Sequence, residues 1–100
     1  MLRSLEHVQL VLSAENNPSD EIFDQAVQLL HIAAAASLDI DVSRKCAIVL
    51  QLISVQNYNK SFIIAQNSYQ ILIKLLKATD EPSLYFFITS AGLLLTSNLM

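Results

Sequence analysis

Between Met1 and Met100 the chain has one glycine, Gly92, and two prolines, Pro18 and Pro82. Strands joined by tight turns need residues that accept positive φ at many corners, and glycine supplies most of them. A chain with a single Gly is not built that way. Leu, Ile, Ala and Gln are frequent instead, a mix that favours long helices, and apolar residues recur at helical spacing along nearly the whole length. The fold class expected is all-α. One hundred residues make one small domain, 1–100, able to bury roughly 60–65% of the unfolded chain's surface.

Short polar interruptions divide this pattern into six helices. The first runs from Ser4 to Ala14 with Leu5, Val8, Val11 and Leu12 on one face. Asn17 is a plausible N-cap for the second, with Pro18 at its first position, where the missing N–H costs nothing, and Asp20 and Glu21 in the first turn. That helix carries Ile22, Phe23, Ala26, Val27, Leu29, Leu30 and Ala33. Asp39 or Asp41 caps a third, which buries Cys46, Ala47, Val49, Leu50 and Ile53. After a break around Asn57-Tyr58-Asn59, a short fourth helix holds Phe62, Ile63 and Ile64. Asn67 or Ser68 opens a fifth, with Tyr69, Leu72, Ile73, Leu75 and Leu76, and Asp80-Glu81-Pro82 opens a sixth, Leu84 to Leu99.

The stretch Cys46–Ser54 aligns with Ser90–Asn98, 44 residues on, in the range of helical repeats. A competing register matches Ala14 and Pro18-Ser19 to Ala78 and Pro82-Ser83, 64 residues on. Read as three-helix units of about 4–55 and 59–100, the chain resembles two consecutive armadillo repeats. Lys60–Gln66 resembles the short first helix of such a unit, Tyr69–Lys77 the second, Thr79–Pro82 the acidic turn before the third, and Ser90–Leu94 the long third helix. HEAT repeats and an unrelated helical bundle share much of this pattern. The resemblance implies a right-handed α-solenoid and a protein-binding, scaffolding role. Where the family places Gly between its first two helices, this chain has Asn67, which tolerates the left-handed conformation.

The family's peptide-gripping members resemble one another in a Trp and an Asn, four residues apart, on the third helix. The matching positions here are Ile48 and Leu52, then Gly92 and Thr96. Without the Asn side chain, gripping of an extended peptide is not expected, and an apolar surface better suits an amphipathic helix. The candidate partner-binding residues are therefore Ile48, Gln51 and Leu52, extended by Gly92, Leu95 and Thr96.

Charge is segregated. Residues 1–41 hold seven acids and one base, while Arg44 to Lys77 hold five bases and no acid, for a net charge of −3. A duplex-binding protein shows clustered cations facing phosphates, so nucleic acid is not the expected partner. Arg44, Lys45 and Lys60 are a candidate basic spot. Cys46, the sole cysteine, precludes an intramolecular disulfide and favours a reducing compartment, cytoplasmic or nuclear. Glu6, His7 and Gln9 break any apolar leader near the start. Residues 83–100 are uncharged and approach the length of a membrane span, but Ser83, Thr89, Ser90, Thr96, Ser97 and Asn98 run through them. A buried helix of a stacked array is the expected reading, with a membrane anchor as the alternative.

No catalytic, cofactor or metal site is expected. His7, His31 and Cys46 show no ligand spacing. The carboxylates at Asp20, Glu21 and Asp24 and at Asp80 and Glu81 sit at helix starts, where capping accounts for them. Phosphate cradles need Gly-rich loops. The last helix is expected to be apolar around its circumference, with Tyr85, Phe86, Phe87, Ile88, Leu93, Leu94, Leu95 and Leu99 distributed around it. Stacked repeats need polar end caps. The chain is thus expected either to self-associate through this helix, as an obligate homo-oligomer would, or to belong to a longer array.

Overall fold

A computed structural model describes residues 2–14, 17–36, 39–57 and 60–78, together with 89, 92 and 93. These residues are all-α, in four helices: α1 (Leu2–Ala14), α2 (Asp20–Ala36), α3 (Ile40–Gln56) and α4 (Phe62–Ala78). Thr89, Gly92 and Leu93 also have helical backbone.

The first three helices lie where the apolar spacing puts them. The caps refine their ends. Ser19, not Asn17, starts α2: its hydroxyl accepts from the Ile22 N–H at 3.3 Å and its carbonyl from Phe23 N–H at 3.2 Å. Pro18 lies just outside the helix rather than at its first position. Asp39 is the cap of α3, its carboxylate accepting from Asp41 N–H at 2.8 Å. At the other end of α3, the Asn57 N–H closes on the Ile53 carbonyl at 2.8 Å.

The expected fourth and fifth helices are one. No Gly or Pro interrupts Phe62–Ala78, and Asn in a helix interior costs only about 0.7 kcal/mol relative to Ala. Packing of one face outweighs that, so Asn67 and Ser68 lie inside α4 instead of at a break. The described residues therefore contain four helices where six were expected, and the second three-helix unit does not form as drawn. The sixth expected helix lies outside the described residues apart from Thr89, Gly92 and Leu93.

The tightest pairings are α1 with α3 and α2 with α4, so helices two apart in sequence lie side by side. The central pair α2 and α3 also touch, α1 rests on α2, and α3 on α4, while α1 and α4 make no close backbone approach. Side chains tie the stacked pairs together. Lys45 Nζ donates to Gln9 Oε1 at 2.9 Å, and Gln56 Nε2 donates to the Leu12 carbonyl, both between α1 and α3. Lys74 Nζ donates to His31 Nδ1 at 3.1 Å between α2 and α4.

One core runs through all four helices. α1 contributes Leu5 and Leu12; α2 contributes Phe23, Ala26, Val27, Leu30 and Ala33. Val49, Leu50 and Ile53 come from α3, and Ile64, Ala65, Ile71 and Leu75 from α4. Each Leu, Ile or Phe fully withdrawn from water stabilises the fold by about 1.5–3 kcal/mol.

Candidate protein-binding surface

Helix α3 is the most deeply set, touching all three others. Its buried side is formed by Val42, Cys46, Val49, Leu50 and Ile53. At 100° per residue, Arg44, Ile48, Gln51 and Val55 then fall on the opposite side. Val55 is 53% exposed; Ile48 and Gln51 are half-buried. Of the expected contact residues, Ile48 and Gln51 thus share an outward stripe. Leu52 lies on its edge and packs partly on the core.

At the N-terminal end of this stripe, Ile48 opens into a cavity of about 290 Å³ that Leu2 and Glu6 of α1 line together with Asp41, Arg44 and Lys45. Asp41 and Arg44 stand 3.9 Å apart, both largely exposed, a pair that adds little stability. A smaller crevice of about 80 Å³ lies between α1 and α2, walled by His7, Val8, Val11, Ile22, Gln25 and Ala26.

The expected extension onto the last helix is seen only at Gly92, which is half-buried. A Cβ there would meet Leu72 Cδ2 of α4 at 3.4 Å. Gly92 thus neighbours α4, while Ile48 opens toward α1. Leu95 and Thr96 lie outside the described residues.

Compared with protein-family profiles, with curated proteins and with solved structures, the chain matches none. The armadillo resemblance therefore rests on the residue pattern alone.

The groups with chemistry to offer are separately engaged. Burial pushes the Cys46 thiol up to about 11, which keeps it protonated and unreactive at neutral pH. Burial, and then the Lys74 ammonium, hold His31 below its ordinary range. The three cations of the candidate basic spot have different neighbours: Asp41 for Arg44, Gln9 for Lys45 and Asn17 for Lys60. Among the described residues no three His, Cys, Asp or Glu side chains converge as metal ligands, and no helix is long and apolar enough to cross a membrane.

The residue pattern missed the exposed apolar side chains of α4. Phe62 is 56% exposed, Tyr69 39% and Leu76 46%, although all three count toward helical apolar faces in the sequence. Phe62, Tyr69 and Leu76 repeat every seven residues, but so do Ile64 and Ile71, which with Leu75 take the inward side, so spacing does not tell the two sides apart.

Proposed function

We propose that the chain is a non-catalytic protein-binding module of the α-solenoid type, which recognises a protein partner through the outward stripe of α3. The observation that carries this reading is the outward stripe itself. Ile48, Gln51 and Val55 present a mixed apolar and amide surface on the most firmly held helix, with Leu52 supporting them from the core side. Sites on rigid elements keep their geometry better than sites on loops. Leu95 and Thr96, beyond Gly92, are candidates for extending the surface.

Solenoid stacking draws support from the contact pattern. Helices stack on their second neighbours and the first and fourth stay apart, whereas a ring-closed bundle brings those two together. The start of α3 follows that of α1 by 38 residues and the start of α4 follows that of α2 by 42, near the length of a HEAT or armadillo unit. Three of the side-chain links, Gln56 to Leu12, Lys60 to Asn17 and Lys74 to His31, span 43 or 44 residues. These spacings suit HEAT and armadillo units alike, and the unbroken α4 favours a two-helix, HEAT-like unit.

A photo-crosslinking residue placed at Gln51 tests the surface, with Gln28 on the exposed side of α2 as the control. A partner captured from position 51 but not 28, and lost when Val55→Asp is added, is the expected outcome. Val55 is exposed enough for that change to leave the fold intact. Equal capture from both positions, or indifference to Val55→Asp, rejects the α3 stripe.

Self-association through the C-terminal segment is a second reading, favoured by Leu93, which is helical and 68% exposed. It predicts a Tm that falls on dilution.

A further inference from the structure

Helix α1 lies close along α3 but contributes little to the core. Of its 13 residues only Leu5 and Leu12 are buried, whereas among the described residues α2 and α4 bury five apolar side chains each and α3 six. Open space flanks it on two sides. The cavity of about 290 Å³ lies between α1 and α3, and the crevice of about 80 Å³ between α1 and α2. Side chains lining such spaces forfeit part of the dispersion contact that close packing gives. Two part-buried polar links complete the fastening to α3: Lys45 Nζ donates to Gln9 Oε1 at 2.9 Å, and Gln56 Nε2 donates to the Leu12 carbonyl. Bonds that water can replace add only modestly to stability.

The other three helices hold together without it. Each of α2, α3 and α4 packs on the other two, and α1 makes no close approach to α4. An element with few buried apolar contacts is released at a lower free energy than the core it rests on. Once released, a helix of 13 residues is marginal in water and melts.

Lys45 and Gln56 mark the side of α3 that α1 covers. At 100° per residue, Val49 and Leu52 fall on the same strip as these two. Val49 is fully buried and Leu52 partly so. We infer that α1 is a releasable cover: it undocks as a unit while α2, α3 and α4 stay folded, and so bares the side of α3 that carries Val49 and Leu52. The consequence for a partner rests on α3 being the partner-binding helix. With α1 released, the stripe of Ile48, Gln51 and Val55 widens to take in Leu52 and Val49.

Native-state hydrogen exchange of the full chain, followed by NMR through a urea series, tests this. The slowest amides of α1 are expected to exchange at least about tenfold faster than the slowest amides of α4. They should share one urea slope, shallower than that of α4, because undocking one helix exposes less surface than global unfolding. Leu75→Ala truncates a buried side chain of α4, which stays packed when α1 alone opens. It should speed the slow amides of α4 about thirtyfold or more and leave those of α1 unchanged. In a Cys46→Ala background, the thiol introduced by Val49→Cys should be labelled with the urea slope of α1. Amides of α1 that share the rates and slope of α4, or that speed up equally with Leu75→Ala, overturn the inference. So do α1 rates that scatter without a common slope, which denote fraying, and Val49→Cys labelling that follows the α4 slope. The urea series on the unmodified chain decides the point even if Leu75→Ala does not fold. None of these measurements involves a partner, so a failed capture at position 51 and a failed opening of α1 are separate results.

Discussion

Ser68 is completely buried on α4, and its hydroxyl has no hydrogen-bond partner among the described residues. The sequence marks it as a helix start, where a hydroxyl caps a free N–H; inside a helix that use disappears. An unsatisfied buried hydroxyl costs about 1–3 kcal/mol, and Ala is the better helix former. Ser68→Ala should therefore raise stability by about 1 kcal/mol in urea unfolding, and a loss would show that the hydroxyl is satisfied after all. Single residues were otherwise legible where their role is to avoid water. Cys46, Leu50, Phe23 and Leu30 are buried as their helical spacing demands. Tyr69 and Leu76 were not, because an apolar side chain reads the same whether it faces the core or a partner.

Helix ends follow the local chemistry of their caps. Ser61 starts α4, its hydroxyl accepting from Ile64 N–H at 3.3 Å. The corner before it depends on Asn57, which is 2% exposed. Its Nδ2 donates to the Ser61 carbonyl at 2.9 Å and its Oδ1 accepts from Ser61 N–H at 3.1 Å. The amide so closes the α3–α4 corner with a pair of bonds that Ala cannot replace. Asn57→Ala should cost about 2 kcal/mol, from two bonds of about 1 kcal/mol each, measured by thermal or chemical unfolding. An effect below half a unit of that size would mean that water or the backbone takes over. The end of α3 at Asn57 was readable from polar residues; the absence of a break at Asn67 was not, since the same residue type ends one helix and sits within another according to what its neighbours bury.

Across the whole molecule, the stacking of α2 on α4 is tied by His31 and Lys74. His31 is held below its ordinary value of 6.5 by burial and by the Lys74 charge, so above pH 6.5 both folded and unfolded chains carry it neutral. As pH falls from there toward the lowered folded value, the unfolded chain takes the proton first, and stability declines across that window. Tm is expected to drop as pH falls below 6.5, and His31→Gln should flatten that part of the profile. Parallel Tm curves for the two proteins would exclude His31 as a source. Residue spacing and capping types suffice for the helical class and for α1 to α3, because helical order and capping are set by neighbours within a turn or two. Which helices stack, why α4 runs unbroken, and which apolar side chains it leaves bare depend on contacts between residues some 40 positions apart. Periodicity gives each helix an apolar side; the packing of the other helices settles how much of that side is covered.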